Sequence, residues 1–155
     1  MSQSRSKYWK KKLFLYESDH FALSQGKPVS DAVMYAASIL LKKAKPETKG
    51  LESSVLAQCL AFTPMPALEE GEQCIQIHHD GSFHWLVSHR EAADSTVHLY
   101  DSLHCRGQPS SSVELQLAAI YGQEAESTHL DVVFEPAQQQ VGSVDCGLFC
   151  CGCGD

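Results

Sequence analysis

Four residues in the acidic part of the chain are of types that cooperate in cysteine-based acyl transfer: His84, Asp101, Gln140 and Cys146. A free thiol, with a pKa of about 8.5, is only slightly ionised at neutral pH, so a cysteine nucleophile needs an imidazole to take its proton. A carboxylate on the far ring nitrogen fixes the tautomer, and an amide side chain stabilises the oxyanion. Residue types alone leave open that these are ordinary buried side chains, because the chain has seven Cys and eight His.

The predicted strands bring two of these groups towards each other. Residues 74–78 and 83–88 alternate with a period of two around an Asp80-Gly81 turn, a pattern that predicts a β-hairpin. A third strand is predicted over 96–100 and ends at Asp101. The candidate histidine and aspartate therefore lie at or near the ends of neighbouring strands, where their side chains can meet across the sheet.

Two helices and one more strand complete the predicted architecture. The first helix has its N-cap at Ser30–Asp31 and ends before Pro46. Its apolar positions recur at a spacing of three to four residues: Val33, Ala36, Ala37, Leu40 and Leu41. The second helix begins with a capping box formed by Ser111 and Glu114 and closes at Gly122, and residues 130–134 form a short strand. The sequence predicts an α+β fold with a small sheet between helices.

The nucleophile candidate lies at a turn that leads towards an expected helix. Cys146 is followed by Gly147, which permits close approach of another backbone segment. The unpaired amides and dipole of a helix N-terminus lower a thiol pKa. This position is therefore suited to an activated cysteine.

Length, charge and cysteine usage limit the class of protein. With 155 residues the chain has room for one domain, preceded by a basic segment over 1–16 that we expect to be flexible. Residues 1–50 carry ten Lys/Arg against four Asp/Glu, a charge of +6, whereas residues 51–155 carry two against fifteen, a charge of −13. The acidic part argues against a nucleic-acid binder.

Targeting signals are also informative. No apolar run is long enough to span a bilayer, and no secretory signal opens the chain, so we expect no membrane association. An odd number of unevenly spaced cysteines fits a reducing compartment, the nucleus or cytoplasm, better than a disulfide framework.

Three motifs together resemble one protein family. His84-Trp85, then Tyr100-Asp101-Ser102, then Gln140 six positions before Cys146 in QQQVGSVDCGLF are similar to the ubiquitin-like proteases. These are the Ulp/sentrin-type cysteine peptidases of the adenain-like clan, and the QQQ and YDSL segments resemble its mobile-element-associated members. The resemblance covers roughly residues 28–150 and implies a papain-like, adenain-type fold, with a catalytic domain over 17–155.

The resemblance also implies roles for individual residues. Cys146 would be the nucleophile that forms a thioester, His84 the general base and acid, and Asp101 the group that orients the imidazole. Gln140 would line the oxyanion hole together with the Cys146 backbone amide. Trp85 would either contact substrate or fill the core beside the site. The implied reaction is hydrolysis of a peptide or isopeptide bond, including removal of a ubiquitin-like modifier (deSUMOylation), without a metal or organic cofactor.

The sequence departs from the family pattern in two places. Pro28 stands where members acting on ubiquitin-like substrates usually carry the Trp that roofs the tunnel for a diglycine tail. In addition, only nine residues follow Cys146, with glycines at 147, 152 and 154, where the family has a long buried helix. We therefore expect a C-terminally shortened family member.

Several alternatives remain open at the level of sequence. One is an inactive, shortened homologue that acts as a protein-binding module, and another is a protein acyltransferase of the same clan that uses the same thioester. A third is a zinc site at Cys146, Cys150, Cys151 and Cys153, which lack a separated second pair of ligands. Our expectation is a monomer that acts on a protein substrate, either a ubiquitin-like modifier conjugate or a polyprotein.

Overall fold

Within the residues that the structure describes, the fold is a five-stranded mixed sheet with a helix on each face and a two-stranded sheet at the N-terminal side. It is seen in a computed structural model, of which residues 7–58, 62–82, 84–103, 108–122, 129–137 and 139 are described. The strands of the large sheet are β3 (Lys49–Gly50), β4 (Gln73–His79), β5 (Trp85–Glu91), β6 (Val97–Tyr100) and β7 (Val132–Phe134). The helices are α1 (Glu17–Ser24), α2 (Asp31–Ala44), α3 (Val55–Gln58) and α4 (Ser111–Tyr121).

The large sheet follows the sequence order β3-β4-β5-β6-β7. Its centre is antiparallel, since β4 pairs with β5 and β5 with β6 in that sense, whereas the outer pairs β3–β4 and β6–β7 are parallel. The predicted hairpin is the β4–β5 pair, with His79 opposite Trp85. This mixed sheet with its flanking helices confirms the predicted α+β, papain-like architecture.

Strand β5 has buried side chains on both faces because each face of the sheet is covered. Leu86 belongs to the cluster that packs against α4, together with Val113 and Leu117. Its neighbours Trp85 and Val87 belong to the opposite cluster, which includes Met34 of α2. The apolar run of β5 is therefore explained by burial on two sides rather than by alternation.

The two predicted helices are present, with differences of detail. In α2 the buried side chains include Met34 and Ala36, while Leu40, predicted on the apolar face, is 53% exposed. Helix α4 is capped by Ser110, whose hydroxyl accepts a hydrogen bond from the Val113 amide, and not by Ser111 as predicted. Three serines in succession are equivalent in type, so the sequence alone did not decide which one caps the helix.

The N-terminal segment contains a small sheet that the sequence did not predict. Strands β1 (Tyr8–Lys10) and β2 (Leu15–Tyr16) pair antiparallel, joined by a short 3-10 helix over Lys11–Leu13. The rings of Tyr8 and Tyr16 stack with centroids 4.5 Å apart. The flexibility of residues 1–16 and the domain boundary after them stay predictions. Among the described residues, no helix combines the length and apolar character needed to cross a bilayer.

A buried polar chain joins α4 to the sheet. His78 is fully buried, and its Nδ1 lies 3.0 Å from Gln116 Oε1 of α4 while its Nε2 lies 2.7 Å from the Ser88 hydroxyl of β5. The Ser88 hydroxyl is in turn 2.8 Å from the Tyr121 hydroxyl. Burial lowers the pKa of His78 to about 4, because a charged imidazole loses its hydration there.

The lowered pKa of His78 predicts acid destabilisation that starts near pH 6.5. The unfolded chain gains a proton below its pKa of about 6.5, whereas folded His78 stays neutral until about pH 4, so stability is lost as the pH falls between these values. The full loss amounts to roughly 3 kcal/mol. Urea unfolding measured between pH 7 and 5 tests this. A His78→Gln variant should show a flatter pH dependence, and a His20→Gln variant, at an exposed position, should match the wild type.

Candidate active site

The described part of the candidate site is a buried His–Asp pair at one edge of the sheet. His84 immediately precedes β5 and Asp101 immediately follows β6. Because these strands are antiparallel, with Val87 opposite Tyr100, the start of one and the end of the other lie at the same edge. The two residues are thereby brought together across a sequence separation of 17 positions.

The contact within this pair is short and shielded from water. His84 Nε2 lies 2.6 Å from Asp101 Oδ1, and each residue is 5% exposed. With a carboxylate as partner, Nε2 carries the proton and donates it, so Nδ1 is the unprotonated ring nitrogen. This is the tautomer that a general base needs when it takes a proton at Nδ1.

Two further hydrogen bonds hold Asp101 in place. Its Oδ1 also accepts a hydrogen bond of 2.8 Å from the Leu103 amide, which fixes the carboxylate against its own backbone. Its main-chain carbonyl accepts a hydrogen bond of 3.1 Å from Gln139 Nε2. Gln139 therefore connects the segment that precedes Gln140 to the end of β6. Gln139 was not predicted as a site residue, because three successive glutamines in the QQQ motif are equivalent in type.

Trp85 anchors the strand that begins beside the histidine. It is 3% exposed, its indole Nε1 donates to the Val29 carbonyl at 3.2 Å, and its ring meets that of His79 edge-on at 4.6 Å. This burial favours the core-filling interpretation of Trp85 over direct substrate contact. A buried anchor one residue after His84 also restricts the backbone from which the imidazole projects.

A cleft opens beside the His–Asp pair. Its volume is about 320 Å³, and its lining includes His84, Asp101, Asp80, Ser110 and Phe134. The cleft lies between the sheet edge and the N-terminal end of α4.

The predicted nucleophile and oxyanion residue, Cys146 and Gln140, lie outside the described residues, and their roles stay predictions. Among the cysteines that the structure describes, Cys74 is buried, and desolvation raises the pKa of its thiol to about 11. Cys74 is therefore an inert core thiol at neutral pH. The four cysteines of the zinc alternative also lie outside the described residues. Within the described ranges, no group of three or more His, Cys, Asp or Glu is placed to hold a metal ion.

The architecture is that of SUMO protease catalytic domains. SUMO protease Ulp1 with its catalytic cysteine oxidised to a sulfinic acid superimposes with a TM-score of 0.72 and 15% identity, covering 98% of this chain and 76% of that one. The C-terminal Ulp1 protease domain in complex with Smt3, the yeast ortholog of SUMO, gives 0.69 and 13%, covering 99% and 76%. The Ulp1-like catalytic domain from Chaetomium thermophilum gives 0.56 and 14%, covering 82% and 60%.

The likeness rests on the short motifs and on the fold, because comparison of the whole sequence finds no match. No protein-family model matches the chain, and no curated protein sequence matches it. At 13–15% identity the structural likeness shows the fold. It confirms the resemblance to the ubiquitin-like proteases at that level.

Proposed function

We propose that the protein is a cysteine peptidase of the ubiquitin-like protease type, which hydrolyses a peptide or isopeptide bond in a protein substrate. The observation that carries the proposal is the 2.6 Å contact between His84 Nε2 and Asp101 Oδ1 beside an open cleft. The fold, shared with Ulp1 protease domains, supports it. The motif around Cys146 supplies the third member of the triad.

In the proposed acylation step, Cys146 transfers its thiol proton to Nδ1 of His84 and its sulfur attacks the carbonyl carbon of the substrate. Asp101 stabilises the imidazolium through the Nε2 hydrogen bond. The oxyanion of the tetrahedral intermediate accepts hydrogen bonds from the Gln140 amide and the Cys146 backbone N–H. The C–N bond breaks as the imidazolium donates its proton to the leaving amine, which leaves a thioester on Cys146.

Deacylation uses the same groups, but His84 now returns a proton to Cys146. His84 removes a proton from a water molecule, the resulting hydroxide attacks the thioester carbonyl, and Cys146 leaves as a thiol that takes its proton back from the imidazolium. The products are a free carboxylate and a regenerated enzyme. Cys146 and His84 end the cycle in their starting protonation states, and no redox partner is consumed.

The proposed substrate is a conjugate or precursor of a ubiquitin-like modifier. The support is that one similar structure is a complex with Smt3, the yeast ortholog of SUMO. Modifier probes ending in a cysteine-reactive electrophile, of SUMO, NEDD8 and ubiquitin type, test chemistry and substrate class together. We expect an adduct on Cys146 with at least one probe, absent in a His84→Ala variant. If no probe reacts while Cys146 still reacts with a small alkylating agent, the proposed modifier substrate is wrong, but the proposed cysteine chemistry is not contradicted.

A further inference from the structure

Asp80 forms hydrogen bonds with both the backbone N–H and the backbone C=O of His84, the candidate general base. Its Oδ1 accepts a hydrogen bond of 3.1 Å from the His84 amide and one of 2.8 Å from the Ser82 amide. Its own amide donates to the His84 carbonyl at 3.0 Å. The Asp80 side chain therefore stabilises the β4–β5 turn by a direct hydrogen bond to His84.

The same aspartate lines the cleft beside the imidazole. Asp80 is half-buried and contributes to the cavity wall together with His84 and Asp101. One carboxylate therefore holds the His84 backbone, while another, that of Asp101, holds its ring at 2.6 Å. His84 is therefore held at its backbone by Asp80 and at its ring by Asp101.

We propose that Asp80 is a positioning residue for the reaction: it fixes the His84 backbone so that the imidazole stays aligned for proton transfer. The inference rests on the proposed function. One side-chain oxygen of Asp80 accepts hydrogen bonds from two backbone amides of the turn, so the turn is held more firmly than it would be without an acceptor at this position. A displacement of about 1 Å at a reacting group costs up to about a hundredfold in rate, so a loosened turn has a measurable effect.

A different role for Asp80 would be purely electrostatic, stabilising the imidazolium by its negative charge across the cleft. Asparagine separates the two, because its Oδ1 accepts the same backbone hydrogen bonds without a charge. Asp80→Asn should therefore behave like the wild type if the acceptor matters, and like Asp80→Ala if the charge matters.

The test is the pH dependence of Cys146 alkylation by iodoacetamide, resolved by mass spectrometry of the labelled peptide. In the wild type we expect thiolate reactivity that extends well below the pKa of about 8.5 of a free thiol. Asp80→Ala should move this profile towards that value and slow alkylation about tenfold at pH 6. Asp80→Asn should leave the profile in place.

Asp94→Ala is a control for the loss of an aspartate side chain that accepts a backbone hydrogen bond in a turn. Asp94 Oδ1 accepts a hydrogen bond of 2.8 Å from the amide two positions on, that of Thr96 in the β5–β6 turn, as Asp80 Oδ1 does from Ser82. Its Oδ2 lies 2.6 Å from His98 Nε2, and Asp94 does not line the cleft beside His84. This variant should lower the unfolding temperature without moving the alkylation profile. If Asp80→Ala fails to fold, Asp80→Ser, with a weaker acceptor, should give an intermediate shift.

The possible outcomes distinguish failure of the positioning role of Asp80 from failure of the proposed peptidase function. An alkylation profile unchanged in Asp80→Ala, or moved equally in Asp80→Asn, overturns the positioning role. A wild-type profile that does not change in His84→Ala overturns the proposed function instead, whatever Asp80 does.

Discussion

Replacing Cys146 by alanine is expected to abolish hydrolysis of any substrate that the wild type turns over. The thiolate is the attacking group in the proposed mechanism, so its removal leaves no covalent route, and the remaining groups cannot form the thioester. The measurement is single-turnover hydrolysis of a modifier fusion, combined with iodoacetamide labelling of the native protein. In the wild type, labelling should concentrate on Cys146 among the seven thiols.

Cys74→Ala provides the matched control for this replacement. Burial raises the pKa of the Cys74 thiol to about 11, so this cysteine should neither react nor support turnover. Its replacement should leave the hydrolysis rate unchanged. Labelling of the wild type spread evenly over the cysteines would contradict an activated nucleophile at position 146.

Replacing Asp101 by asparagine is expected to lower kcat/KM by up to about 10⁴-fold. Asparagine carries no charge, so it no longer stabilises the imidazolium in either rotamer, and where its NH₂ group faces Nε2 it also favours the wrong imidazole tautomer. The volume is nearly conserved. The Leu103 amide can still donate to an oxygen at this position, as it does to Oδ1 in the native protein.

Measuring the unfolding temperature of Asp101→Asn distinguishes a loss of catalysis from a loss of folding. The unfolding temperature of Asp101→Asn should stay close to the wild-type value, whereas the rate falls. Asp101→Glu, which keeps the charge but displaces it by one methylene group, should recover part of the activity. A rate within threefold of the wild type for Asp101→Asn would remove Asp101 from the mechanism.

The sequence predicted the elements that depend on local signals. The Asp80-Gly81 turn with alternating flanks indicated the β4–β5 hairpin, and the end of β6 at Tyr100 was predicted from the strand pattern. Together these put His84 and Asp101 at the same sheet edge, where the structure shows their contact. Antiparallel neighbours with a tight turn leave few other arrangements, so local patterns were sufficient here.

Details that depend on tertiary contacts were not predictable in the same way. The predicted apolar face of α2 included Leu40 and left out Met34, whereas packing against the sheet buries Met34 and leaves Leu40 53% exposed. Asp80 was interpreted as a turn residue, because its two hydrogen bonds to His84 become visible only once the turn has closed. The β1–β2 pair brings together the rings of Tyr8 and Tyr16, which lie eight positions apart. The lysine-rich sequence between them has no alternating apolar pattern from which a strand could be predicted.

The proposed peptidase depends on one spatial relation, the contact between the sulfur of Cys146 and the ring of His84. A crystal structure of the protein, with or without an electrophile on the thiol, measures the distance from Cys146 Sγ to His84 Nδ1 directly. We predict about 3 to 4 Å, within reach of direct proton transfer, with Asp101 on the opposite ring nitrogen. A separation beyond about 10 Å, in a crystal form where the His84–Asp101 contact is intact, would contradict the mechanism.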